Sequence, residues 1–339
     1  MRWQKQSPGA IQGINAIIRQ NQTITAKTMK KFILAVAALF MAASMVSAQD
    51  MAEATEQYNN GATALSTKNY TGALEYFQKA LEMGTAIGEE ADEIVANCKE
   101  VIPGVILQIA KNHIKEGQYT EAEAQIAAAV KAAEEYGNEE VLADAKELAP
   151  QMWLRMGSDA LKIKDYAGAA EGFLKSYQLD TTNANTALKL GQVLASLGKK
   201  EEALTYFQHA IWNGEEEDAN KQISNMFLKE ANVAFKAKKL EDAVDAALKA
   251  NSYAENATAY LIAGQASQKL NKNSNAIEYF EKYLELKPDA SNASAITFTI
   301  GALYQGMKNN AKALEFYQKV ENDAKFGAQA KELIKALSK

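Results

Sequence analysis

Seven times along this chain a glycine or alanine stands twelve residues before an alanine. The pairs are Gly61–Ala73, Ala110–Ala122, Gly157–Ala169, Gly191–Ala203, Ala231–Ala243, Gly264–Ala276 and Gly301–Ala313. Four residues after the alanines come Phe77, Ile126, Phe173, Phe207, Ala247, Phe280 and Tyr317 in turn. A glycine inside a helix costs about 1 kcal/mol relative to alanine. A small residue that recurs in a helix-favouring sequence therefore needs a packing reason. Two antiparallel helices approach closely only where neither carries a bulky side chain. The spacing predicts one helical hairpin per copy; in the third, Gly157 is expected to oppose Ala169 while Trp153, Tyr166 and Phe173 fill the space around the crossing. The chain holds only four prolines among its 339 residues. No convincing run of alternating β-branched residues interrupts the Ala-, Lys-, Glu- and Leu-rich sequence, so helix is expected throughout and strands are not. Copies at this spacing predict an array in which each unit touches only its neighbours.

This pattern resembles the tetratricopeptide repeat, a unit of about 34 residues made of two antiparallel helices, A and B. Trp153 stands where that family has a large residue at position 4 of the unit. Pro288, in LELKPD, stands at position 32, where it stops helix B. The resemblance implies an all-α fold: a right-handed α-solenoid of about seven helix pairs over residues 52–338. Two long units are expected at 54–102 and 103–149, then units at 150–183, 184–223, 224–256, 257–293 and 294–323, and a C-terminal capping helix at 324–338. The long units have a pattern of their own, since KEVIPGVILQIA (99–110) aligns with KELAPQMWLRMG (146–157). Pro103 and Pro150 are expected at the first position of helix A, where a missing N–H costs least, or at a kink, with a further helical turn or two upstream. The Gly- and acid-rich stretches 84–93 and 213–222 are expected to be irregular connections.

Residues 1–48 hold six basic residues and no acid. From Met29 the sequence reads MKKFILAVAALFMAASMVSAQD. Lys30 and Lys31 precede an apolar run, and Val46-Ser47-Ala48 presents small residues where a signal peptidase reads. A secretory signal peptide over 29–48 is expected, cleaved after Ala48 to give a periplasmic or secreted protein. Residues 1–28 are then expected to be an extension assigned upstream of the true start. The apolar run is shorter than the ~20 residues a membrane span needs, so no stable span is expected after cleavage. Without residues 1–48 the chain has 31 basic and 42 acidic residues, a net charge of −11. That balance argues against nucleic-acid or anionic-membrane partners. Cys98 is the only cysteine; it is expected in the core, with an intermolecular bridge as the alternative.

No constellation for catalysis, metal or cofactor binding stands out. The two histidines, His113 and His209, fall in different units and have no partner at metal-ligand spacing. No nucleophile-elbow, phosphate-loop or H-E-x-x-H motif occurs. The acidic runs at 89–90 and 215–218 lack the spacing of a calcium loop. A binding surface is expected rather than an enzyme.

The resemblance places that surface on a concave groove lined by helix A at positions 2, 5, 6, 9, 12 and 13. Position 6 is Arg155, Lys189 and Lys229 in successive units. Position 9 is Ser158, Gln192, Asn232 and Gln265; position 13 is Lys162, Lys236 and Lys269, with Lys115 in the second unit. Position 5 is apolar, as Leu154, Leu188 and Leu228 show. These three leucines stand where the family's chaperone-tail clamp has a lysine, so binding of such tails is not implied. Offsets of three and seven share a helix face, and stacking would set these side chains in a basic and amide stripe. Amides pair with a peptide backbone and cations attract carboxylates, so the expected partner is an acidic peptide or protein segment. Alternatives are ordinary solvated lysines, self-association, and binding of an envelope glycan or peptidoglycan fragment if Phe235, Phe298 and Tyr304 are exposed.

Overall fold

The structure is a computed structural model that describes residues 48–338. The expected leader therefore lies, apart from Ala48, outside the described residues. Fifteen α-helices and a short 3-10 turn account for the regular structure, with no strand among the described residues. No described helix is long and apolar enough to cross a membrane. The chain divides into two compact units at Met152/Trp153.

The first unit holds α1 (Ala48–Ser66), α2 (Tyr70–Ile87), α3 (Asp92–Glu116), α4 (Tyr119–Tyr136) and the start of α5 (Glu139–Lys162). The second holds the end of α5, then α6 (Tyr166–Leu179), α7 (Ala184–Ser196), α8 (Lys200–Trp212), α9 (Glu216–Lys236) and α10 (Leu240–Tyr253). It continues with α11 (Ala257–Lys269), α12 (Asn273–Leu286), α13 (Ala293–Gly306), α14 (Asn310–Lys319) and α15 (Gly327–Leu337). In the first unit α1 packs on α2, α2 on α3 and α3 on α4; in the second each helix from α6 onward packs on the next in sequence, with α15 on α14 as a cap. Alternate helices also touch: α1 with α3 in the first unit, and α7 with α9 and α9 with α11 in the second. Ala330 of α15 is fully buried against a cluster with Ala313, Tyr317 and Val320, so the cap covers the last apolar face.

The recurring glycine has a sharper cause than the expected meeting of two small residues. A methyl group at Gly157 would lie 2.6 Å from a ring carbon of Phe173 and 3.0 Å from the Ala169 carbonyl. Across the crossing, a methyl at Gly172 would lie 2.6 Å from the Gly157 nitrogen. Gly157 thus opposes Gly172 and the Phe173 ring more closely than it opposes Ala169. At Gly61, Gly191, Gly264 and Gly301 the same added carbon would meet the ring of Phe77, Phe207, Phe280 or Tyr317 at 2.6–2.9 Å. The two copies with alanine at this place, Ala110 and Ala231, carry Ile126 and Ala247 at the sequence position of the ring. Ring and methyl compete for one volume, and every copy resolves the competition by shrinking one of them. The five rings are at most 1% exposed, a burial that contributes about 1.5–3 kcal/mol each.

The A-to-B turns repeat as strictly. Five residues before each alanine anchor the backbone is left-handed, at Lys68, Gly117, Lys164, Gly198, Lys238, Asn271 and Lys308. At the third turn the Lys164 N–H donates to the Leu161 carbonyl and the Asp165 N–H to the Ala160 carbonyl, both at 3.0 Å. This double bond pattern is the Schellman motif that closes a helix C-terminus. Asp165 then caps α6 by accepting from the Gly168 N–H at 2.9 Å. Asn69 and Asn309 cap α2 and α14 in the same way.

Three expectations are corrected. Pro103 and Pro150 do not start helices: each is the twelfth residue of its helix, and about three turns precede it. The stretch 84–93 is helical or 3-10 except at Gly88, and in 213–222 only Asn213–Glu215 lie outside helices. Acids in the first turns of α3 and α9 suit the positive end of the helix dipole, which explains helix where composition suggested loop. Cys98 is fully buried as expected, and burial pushes its thiol up to about 12.

Candidate functional site

The expected basic and amide stripe falls on α5, α7, α9 and α11, all within the second unit. Lys189 and Gln192 are half-buried on α7; Lys229, Asn232 and Lys236 are exposed on α9; Gln265 is half-buried and Lys269 exposed on α11. The contact of α9 with both α7 and α11 brings these three groups of side chains onto adjoining helices. Leu188 beneath them is buried, and Leu228 packs against the same core. Arg155 and Lys162 differ. Both reach Asp159 on their own helix, at 3.8 and 2.6 Å. Lys189, Lys229, Lys236 and Lys269 form no ion pair among the described residues. An exposed pair such as Arg155–Asp159 is worth less than about 1 kcal/mol, so it leaves Arg155 exchangeable rather than locked.

The aromatic residues named for a sugar platform are not available as one. Phe298 stacks on Phe326 at 5.4 Å and tilts on Tyr317, Tyr304 packs on Phe316 at 5.6 Å, and Phe235 packs against the core. The most exposed aromatic ring among the described residues lies elsewhere. Trp212, at the end of α8, is 71% exposed and stacks at 5.4 Å on His209. His209 stacks in turn on Tyr177 and shares a 2.6 Å hydrogen bond with its hydroxyl. His113 is half-buried, with its ring Nδ1 2.6 Å from Gln118 Oε1. Among the described residues no group of three or more metal-ligating side chains comes together.

A second feature was not anticipated from sequence. A pocket of about 630 Å³ opens in the first unit beside Gly104. Counting Pro103 as position 1, its wall includes positions 2, 5, 6 and 9 of the unit: Gly104, Leu107, Gln108 and Lys111. These are groove positions by the resemblance, but the opposite wall comes from the first two turns of α5, which a standard-length repeat lacks. The signal in the sequence was the proline: ring and missing N–H open the ladder of α3 near Lys99 and Glu100. Next to that opening, Asn138 donates its side-chain amide to the Glu100 carbonyl at 3.0 Å while its carbonyl oxygen accepts from the Val141 N–H at 3.0 Å.

Tetratricopeptide-repeat family models match residues 183–211 and 228–291. The chain carries tetratricopeptide repeats. The matched segments take in α7 with most of α8, and the end of α9 through α12. No curated protein matches the chain in sequence. Among solved structures it is similar to MamA, with 21% identity, 53% of this chain and 94% of that one covered, and a TM-score of 0.34. It is similar to YrrB, titled a TPR protein with an unusual peptide-binding site (19% identity, 60% and 97% covered, TM-score 0.31). It is also similar to PilF of Pseudomonas aeruginosa (18% identity, 57% and 84% covered, TM-score 0.29). The assignment rests on the two family models and on the recurring helix-pair geometry.

Proposed function

We propose that this protein is a non-catalytic interaction scaffold of the bacterial cell envelope, exported with cleavage after Ala48, that holds an acidic peptide or protein segment across α7, α9 and α11. One observation carries the reading: four lysines at the recurring positions, Lys189, Lys229, Lys236 and Lys269, stand on three adjoining helices without a carboxylate partner among the described residues. Gln192, Asn232 and Gln265 beside them supply donors and acceptors for a peptide backbone. Arg155 extends the row by exchanging Asp159 for a ligand carboxylate. The helices that present the row are fixed by the buried alanine and phenylalanine core, so little ordering free energy is lost on binding.

Crosslinking in intact cells, followed by identification of the captured protein, tests the site. Arg155→Glu, Lys189→Glu and Lys229→Glu combined should abolish capture with helicity unchanged. Capture of the same partner by the triple variant refutes the site. Export predicts Gln49 as the N-terminus of the cell-derived protein, and a terminus at Met1 or Met29 refutes it. The alternative, a glycan or peptidoglycan-fragment module, now rests on the exposed face of Trp212 stacked on His209. It requires glycan-array binding that Trp212→Ala removes.

A further inference from the structure

The pocket in the first unit points to a second ligand with the opposite charge preference. Its floor is apolar and buried, with Val101, Val105 and Leu107 no more than 6% exposed. Tyr70, Tyr136 and Val141 stand at its sides. Gly104 presents no side chain to it; a methyl there would meet only a Val141 methyl, at 3.8 Å. The space is therefore not needed for packing. Its charged lining groups are four carboxylates, Glu100, Glu139, Glu140 and Asp144, against two ammonium groups, Lys99 and Lys111. Glu139 and Glu140 also suit the positive end of the α5 dipole. Glu100 and Asp144 lie outside that first turn and gain nothing from it.

The imbalance extends well beyond the rim. Residues 49–152 hold 19 acidic and 7 basic residues, a net charge of −12, whereas residues 153–339 hold 23 and 24, a net charge of +1. Almost all of the negative charge thus belongs to the half that contains the pocket, and fields of that size attract cations to concave sites. An apolar floor under a carboxylate-rich rim matches a long side chain whose methylene stem is buried and whose cationic head stays near water. Gln108, half-buried in the wall, offers a donor and an acceptor to a main chain running past.

We propose that this pocket receives a lysine or arginine side chain presented by a basic peptide segment. The stem lies on Val105 and Leu107 between Tyr136 and Val141, and the cation sits among Glu100, Glu139, Glu140 and Asp144. The site is independent of the basic row on α7, α9 and α11 and would take a different segment.

The test is a positional-scanning nonapeptide library, immobilised and probed with the full chain. Lysine and arginine should be enriched at one position at least fivefold over glutamate. Gly104→Leu fills the pocket with a better helix former, and circular dichroism confirms its fold; it should remove the enrichment. Glu139→Gln with Asp144→Asn should weaken it severalfold and flatten its salt dependence. Arg155→Glu, Lys189→Glu and Lys229→Glu combined should leave it intact, which separates this site from the acidic-segment reading. Absence of enrichment, enrichment of acids, or enrichment that survives Gly104→Leu overturns the proposal. So does full competition by free agmatine at the concentration of the best peptide, which would assign the pocket to a free cation.

Discussion

Gly191→Ala separates helix propensity from packing more cleanly than any other single change in this chain. On propensity alone the substitution should stabilise, because alanine in a helix interior is favoured over glycine by about 1 kcal/mol. In the fold, the new methyl would lie 2.7 Å from two ring carbons of Phe207. Ordinary carbon contacts are 3.5–4.0 Å, so the ring would have to retreat by nearly an ångström. Phe207 is 1% exposed in a cluster with Leu190, Val193 and Leu194, so its retreat presses on buried neighbours. Overpacking of this kind costs about 1–3 kcal/mol. The net expectation is a loss of roughly 0–2 kcal/mol. In a Phe207→Ile background the ring is gone and the site matches the native pair Ala110–Ile126. There Gly191→Ala should gain about 1 kcal/mol, a coupling of about 1–3 kcal/mol across the cycle. Urea unfolding followed by circular dichroism measures the four proteins, with midpoints compared at equal slope. Gly191→Ala stabilising by the same amount in both backgrounds would refute the competition between ring and methyl.

Further outcomes follow from the same geometry. Lys164→Gly and Lys238→Gly, at left-handed positions with φ of 61° and 60°, should each raise stability by roughly 0.5–1 kcal/mol, because glycine carries no Cβ penalty there; a lower thermal midpoint would contradict this. Asn138→Ala removes both the cap of α5 and the bond to the Glu100 carbonyl, and should cost about 1–3 kcal/mol in the same unfolding assay. Cys98, buried with its thiol pushed up to about 12, should resist thiol reagents at pH 8 until the chain unfolds. The raised pKa also sets a sign for stability. The unfolded thiol ionises near 9 and the folded one does not, so the Cys98 contribution is intact below pH 9 and is lost progressively between 9 and 12. A Cys98→Ser protein should lack that part of the alkaline decline.

Much of the architecture was legible in one dimension. The offsets from Gly157 to Ala169 and Phe173 recur seven times, and they are local: both helices of a hairpin lie within a few tens of residues. The partner of Gly157 was misjudged because spacing reveals that two residues meet, not which atoms are nearest. Gly172 and the Phe173 ring win by direction, a property of helix crossing. The sequence leaves Pro103 at a helix start or at a kink, because proline is disfavoured inside helices; the three turns of α3 before it place it inside the helix, with Asn138, 35 residues away, bonded to the Glu100 carbonyl beside it. Of the stripe, Lys189, Lys229, Lys236 and Lys269 stand unpaired among the described residues, whereas Arg155 and Lys162 share Asp159. Asp159 stands four residues after Arg155 and three before Lys162, so both pairs lie on one helix face.

By itself the sequence determined that this chain is helical, that its helices come as repeated hairpins, and where five of the seven hairpins must have room for a ring. Those facts rest on periodicity, propensity and side-chain volume, which need no knowledge of distant residues. Only the tertiary structure decided that α3 and α5 run on for three turns before their prolines, that Asn138 ties the start of α5 to the Glu100 carbonyl, and that a pocket with a carboxylate-rich rim opens beside Gly104. Those depend on which helix passes within reach of which carbonyl and side chain, and that is not encoded in the spacing of the repeat.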